Sequence, residues 1–418
     1  MLKITVSGIT LTLLLIGMLI LAFNIHLIAS EEQSLSILVV VESNLHGFVQ
    51  AELFQYCQDL ENEGYNVQII EYGGGTPSQL RDKVASYSPD GVLFIGDLPV
   101  AWFEIYNPLI EPNYQNFPFD YFYMDFDGTW LDNDNNGYFD EHTGNIEPEV
   151  FFGRLKTSDM GLIGDEVSII KDYLNRNHAY RTGSMSTENK SLIYWCSDYD
   201  CNARETLPEI FEIVDIVDHP DGDEEDFKQK LQERYQLVLL GGRGHSCSQF
   251  MSMEKTGGEK LYNSEVVSVN PQSQFYVIHS CLNSRYTDPN FIAGCFAYTS
   301  KGLITIGSSK GGGGIGRGEV VYESLKAGES IGKAIKNLFE NVTLVEPPER
   351  YEYYSTVLIG DPTLKIKTPI IVPAIPVGGY SIPIKAYTTT KPLTLYLALV
   401  AILTASFTIA KRRKKQQN

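Results

Sequence analysis

Residues 37–41 (ILVVV) are apolar at every position and rich in β-branched side chains, the pattern of a strand buried on both faces of a parallel sheet. Residues 48–63 carry apolar positions at helical spacing and stop at Gly64. A second strand is predicted at 66–72, closed by three glycines, then a helix at 76–86 and a third strand at 91–95 (GVLFI). This is a βαβαβ order at parallel-sheet spacing. A long segment from about 102 to 147 is rich in aromatic residues, Asn and Asp, and leads to a short strand at 149–152 and a helix at 159–175. The alternation then restarts, with strands at 191–195, 213–217, 237–240, 274–278 and 303–306. Helices are expected between them near 204–211, 224–234, 291–298 and 330–339. The body is thus a mostly parallel α/β structure of two successive units, 31–182 and 183–367, packed as side-by-side subdomains or joined in one sheet.

Both ends of the chain carry apolar runs. Residues 4–23 are uncharged and about one bilayer long at ~1.5 Å per residue. Ala29 and Ser30 are small enough for signal-peptide cleavage, so 1–30 is read as a signal peptide or a retained N-terminal anchor. Residues 368–391 are rich in Pro, Gly, Ser and Thr, as in an extended stalk. A second apolar run at 392–410 is followed at once by the basic tail 411–418, which contains KRRKK. By the positive-inside rule that tail stays in the cytoplasm and the body lies outside. The expectation is a protein held on the extracellular face of the cell membrane by a C-terminal transmembrane helix.

Composition narrows the partners. At 43% apolar residues the chain is too hydrophobic for a disordered protein, and its polar body is unlike a polytopic membrane protein. Residues 4–410 hold 27 basic and 52 acidic side chains, a net charge of −25. Such a body repels phosphate backbones, which excludes nucleic acid as a partner.

The candidate chemistry sits where two strands end. The strand LVLL runs into Gly241, Gly242, Arg243, Gly244 and His245, and the strand QFYVI runs into His279, Ser280 and Cys281. In open α/β sheets ligands bind beyond the carboxyl ends of the strands. A catalytic thiol needs an imidazole within reach, because the thiolate is the nucleophile. His279 is a rival base, but two residues before Cys281 on one strand it is poorly placed to aim at the thiol. Cys196 and Cys201 are spaced for a local bridge, Cys247 and Cys295 read as core or disulfide residues, and Cys57 is left over.

GRGHS (242–246) and IHSCLNS (278–284), with GDLP (96–99), PEVFFGRL (148–155), GCFAYTSKG (294–302) and IGDPTL (359–364), resemble the gingipain-type cysteine peptidases of the caspase-like clan. The resemblance spans roughly residues 35–366. It implies a caspase-like α/β fold with the catalytic pair on the second unit, Cys281 as nucleophile and His245 as general acid/base. It also implies that Glu149 orients the histidine, the alternative being an ion pair with Arg154. Gly244, Ser246 and Ser280 would line the oxyanion and substrate positions. Ser246 stands where the family has glycine, and its N–H can still donate. Asp159 lies near the family's acid for basic substrate residues.

A separate constellation comes from spacing alone. Asp132, Asp134, Asn136, the Tyr138 carbonyl and Asp140 fall at positions 1, 3, 5, 7 and 9 of a calcium loop, with Gly137 at the sharp turn. Position 12 is Thr143, so a further ligand is expected from elsewhere, for instance Glu141 or Asp125. The expectation is a structural Ca²⁺. The leading reading is a membrane-tethered cysteine endopeptidase acting on proteins or peptides. The alternatives are a non-catalytic calcium-binding surface module and a transpeptidase using the same acyl-enzyme.

Overall fold

The computed structural model describes residues 34–367, apart from 107–112, 196–202, 219–222, 246, 251–259 and 313–314. The expected signal or anchor, stalk, transmembrane run and basic tail lie outside the described residues, as do Ser246, Cys196 and Cys201. Among the described residues no helix is long and apolar enough to cross a membrane.

The first unit opens with β1 (Ser36–Glu42), β2 (Asn66–Tyr72) and β3 (Gly91–Ile95). The aromatic segment folds into two antiparallel hairpins, β4 (Trp102–Tyr106) with β5 (Tyr114–Pro118) and β6 (Thr129–Leu131) with β7 (Glu141–Thr143), before β8 (Phe151–Leu155). The second unit adds β9 (Lys190–Trp195), β10 (Ile213–Asp218) and β11 (Leu237–Gly241). A small antiparallel sheet follows, of β12 (Gly244–His245), β13 (Ser248–Phe250) and β14 (Lys260–Tyr262). The chain then forms β15 (Phe275–His279), β16 (Ile304–Ser308) and β17 (Thr356–Gly360).

Ten of these strands make one continuous sheet in the order β10-β9-β11-β15-β16-β17-β8-β3-β1-β2. The two units therefore lie side by side within a single sheet. Pairing is parallel throughout except between β16 and β17. The inner strands β3, β8, β11, β16 and β17 are buried at every position, which their continuous apolar sequences require. Edge strands β2 and β10 are instead partly exposed along their length.

Several helices differ from the sequence reading. The first spans Ser43–Asn62, five residues earlier than the periodicity indicates. The next, Pro77–Ala85, starts at a capping box in which Thr76 and Gln79 satisfy each other's backbone N–H. The helix expected at 159–175 begins only at Glu166, capped by Asp165, and runs to Arg181. Asp159 thus lies in a turn.

The reversal at β17 positions the site. β11, β15 and β16 run one way, and β17, β8, β3 and β1 the other. The carboxyl ends of β11 and β15 therefore share a rim with the amino ends of β17 and β8. Arg154 of β8, fully buried, pairs with Asp120, and the Tyr286 hydroxyl donates to the same carboxylate at 3.1 Å. The Arg154 guanidinium also lies 4.4 Å from the Tyr286 ring centroid. This knot joins the aromatic segment, β8 and the stretch just after Cys281.

Candidate active site

Cys281 is two residues beyond β15 and half-buried. Leu282 follows it with φ of +57°, a left-handed backbone uncommon for a branched side chain, held by its N–H donating to the Lys310 carbonyl at 2.9 Å. Asn283 donates from its side chain to the carbonyls of Ile278 and Ser280, and Ser284 N–H to Ser308. The turn that carries Cys281 is thus pinned by backbone hydrogen bonds from Leu282 and Ser284 to residues 308–310 at the end of β16.

His245 does not sit at the strand end itself. It lies on β12, in the small sheet beyond β11, and is exposed. Two contacts bring that segment to the Cys281 turn. Gly242 N–H donates to the His279 carbonyl at 3.1 Å. Gly244 packs on the cysteine turn, where a Cβ would meet the Ser280 Oγ at 2.5 Å and the Cys281 carbonyl at 3.0 Å. Ser280 is buried, with its hydroxyl accepting from Asn283 at 3.2 Å.

His279 is committed elsewhere. Its Nε2 lies 2.8 Å from the Tyr322 hydroxyl, and Trp195 meets its ring edge-on at 5.4 Å. Burial pushes its pKa down to about 4, so it is neutral at ordinary pH. The structure thus holds the rival base in an aromatic setting.

Glu149 precedes β8 and so reaches the same rim from the first unit. Its carboxylate accepts from the Phe126 N–H at 2.5 Å, and it clusters with Asp125 and Asp127. Burial raises its pKa. Arg154, the alternative partner, pairs with Asp120 instead. Asp159 is exposed; its carbonyl accepts from Asn290 N–H at 2.9 Å and its carboxylate lies 3.6 Å from Lys156, which also pairs with Asp97 at 2.9 Å.

Among the other described cysteines only Cys247 departs from expectation. Cys57, Cys247 and Cys295 are free thiols. Cys295 is buried, and burial pushes its thiol up to about 12. Cys247 is neither core nor bridged: its Sγ lies 3.6 Å from His245 Nδ1.

In the acidic loop, Asn135 and Gly137 adopt φ of +60° and +95°, conformations that suit Asn and Gly. Asp132 accepts from the N–H groups of Asn136 and Gly137, Asp134 also accepts from the Asn136 N–H, and Asn133 donates to Asp140. Tyr138 N–H donates to Asn136 Oδ1, and its ring packs on Trp102 at 5.9 Å. The sequence reading missed Glu104. This buried residue of β4 receives the Asn136 amide at 3.0 Å, and its carboxylate converges with those of Asp134 and Asp140, with one oxygen from each within 4.8 Å of the others. The two donors suggested from sequence are engaged otherwise: Asp125 with His142, and Glu141 with Asn133. Only alternation along β4, whose acidic residue sits among apolar neighbours, marked Glu104 out in the sequence.

The loop also touches the catalytic rim through the β4–β5 hairpin. Phe139 N–H donates to the Trp102 carbonyl, and the Phe139 carbonyl accepts from the Glu104 N–H. Arg285 donates to the Asn116 carbonyl at 2.7 Å and lies over the Trp102 ring, and Ser309 donates to Pro118 at 2.7 Å.

Comparison with known proteins gives the same frame. The structure of the Arg-specific cysteine proteinase gingipain R superposes with a TM-score of 0.59 at 15% identity, over 81% of this chain and 80% of that one. The complex of the pro- and mature domains of Porphyromonas gingivalis RgpB gives 0.56 at 13% identity, over 80% of each chain. No curated protein sequence matches the chain. The model of peptidase family C25 matches residues 37–367, the span over which the glycine-histidine and serine-cysteine motifs occur. The chain belongs to this family, the gingipain family, and is a cysteine-type endopeptidase.

Proposed function

We propose that this peptidase works while tethered to the outer face of the cell membrane, with Cys281 as its nucleophile and His245 as its general acid/base. The observation that carries the pairing is the seat of Gly244 against Ser280 and the Cys281 carbonyl, which puts the histidine and cysteine segments in direct contact. His245 takes the Cys281 thiol proton as the sulfur attacks the peptide carbonyl; the C–N bond breaks as His245 passes that proton to the leaving amine; water, deprotonated by His245, then hydrolyses the thioester. The backbone N–H groups of Gly244 and Ser246 are the donors proposed for the oxyanion. Tethering is supported by the apolar runs and the terminal KRRKK of the sequence.

Calcium fits the donor set. Glu104, Asp134 and Asp140 offer only oxygen ligands, the preference of a hard cation, and gathering their charge in one place is costly without one. Bound there, Ca²⁺ would fix the loop that braces the β4–β5 hairpin, and through it Arg285.

The test is mutational. Cys281→Ala abolishes cleavage of labelled casein by the full-length protein, and His245→Ala reduces it by a similar factor with no further loss in the double variant. His279→Ala costs much less. If His279 proves the more damaging change, the choice of base is wrong. Protease protection of the body on intact cells, as opposed to its digestion by added protease, would overturn the outward orientation.

A further inference from the structure

We infer that Cys247 is a positioning residue for His245, holding the imidazole through Nδ1. The inference rests on the assignment of His245 as acid/base. An imidazole that serves a thiol must present one ring nitrogen to it and keep its ring plane fixed, which calls for a partner on the other nitrogen. In this structure the Cys247 thiol lies 3.6 Å from Nδ1, within range of a sulfur hydrogen bond. The ring nitrogen that exchanges the proton with Cys281 is then Nε2.

The local fold makes the contact. His245 and Ser248 are directly paired across β12 and β13, and Cys247 immediately precedes Ser248. That antiparallel pairing keeps Cys247 beside the histidine it follows by two residues. The turn is anchored at its base by the Asn263 N–H, which donates to the Cys247 carbonyl at 2.9 Å. The carboxylate that the resemblance nominates for this task, Glu149, accepts from Phe126 N–H. A thiol is a weaker partner than a carboxylate and adds no charge. It can accept from Nδ1–H at little desolvation cost.

The test compares Cys247→Ala, Cys247→Ser and Glu149→Gln in the full-length protein, using labelled casein and a fluorogenic peptide chosen from its cleavage products. Cys247→Ala lowers kcat by about three- to tenfold, the worth of one modest hydrogen bond, and leaves KM unchanged. Cys247→Ser, which keeps a donor and acceptor, restores most of kcat. Unchanged kcat in Cys247→Ala would overturn the inference, as would equal losses in the Ala and Ser variants with a lowered Tm. Complete loss in Cys247→Ala with activity retained in Cys281→Ala would make Cys247 the nucleophile and overturn both assignments. Full activity in His245→Ala would instead remove the base on which the inference rests.

Discussion

Gly244 rests against Ser280 so closely that a methyl group on the glycine would lie 2.5 Å from the serine hydroxyl and 2.9 Å from its Cβ. Rotating the hydroxyl away leaves the second clash, so the two segments must part. Gly244→Ala is therefore expected to lower kcat/KM by about tenfold or more and to cost about 1–3 kcal/mol of stability, as overpacking does. Adding Ser280→Gly removes both serine atoms and recovers part of each loss. Steady-state kinetics and thermal melts of the two variants and their combination check this. Equal activity of Gly244→Ala and the parent would show that the segments do not meet as described.

The buried knot of Arg154, Asp120 and Tyr286 predicts an asymmetric response. Burial opposes the Arg154 charge, but Asp120 outweighs it and keeps the guanidinium protonated. Asp120→Ala strands that charge and is expected to cost about 3–5 kcal/mol. Replacing both partners, as Asp120→Leu with Arg154→Met, should recover much of the loss. Urea unfolding of the three variants gives the comparison; a double variant no more stable than Asp120→Ala counts against the knot as a charge pair.

His279 predicts a pH dependence of stability. Its pKa is depressed to about 4 in the folded state, so below the unfolded value the unfolded chain binds the proton first. The contribution is intact above pH ~6.5 and is lost as the pH falls toward 4, up to about 3 kcal/mol. His279→Leu should lose less Tm than the parent between pH 7.5 and 5. Identical acid sensitivity in both proteins would assign the effect to other groups.

Calcium is expected to raise Tm, by an amount equivalent to about 2–3 kcal/mol at roughly 100 times Kd, and magnesium to do so less because it dehydrates reluctantly. Glu104→Gln and Asp134→Ala should abolish this response. Asp132→Ala should weaken the loop even without calcium, because the Asp132 carboxylate holds the Asn136 and Gly137 N–H groups. Melts with calcium and with chelator, alongside limited proteolysis of the loop, decide it. No change in either measurement would leave an acidic loop without a metal.

Much of this was open to reading in the chain itself. The inner strands announced themselves because burial on both faces demands unbroken apolar runs, as in residues 37–41 and 91–95. His245 and Cys281 stood out because glycine- and serine-rich turns follow such runs directly. Asp134 and Asp140 stood out because a calcium loop repeats its ligands at local spacing. Local pattern was sufficient wherever the physical requirement was itself local.

Tertiary structure decided the rest. β17, the last strand among the described residues, inserts at the middle of the sheet between β16 and β8 and reverses the direction of one half. That reversal carries Glu149 to the rim of Cys281, though neither strand's sequence encodes which neighbour it will pair with. Glu104 joins Asp134 and Asp140 only because β4 folds back along the loop. Cys247 meets His245 because β12 pairs with β13, whose first residue follows the cysteine. Each of these depends on pairing and packing between segments, and their energies belong to the contact formed and not to either stretch of sequence alone.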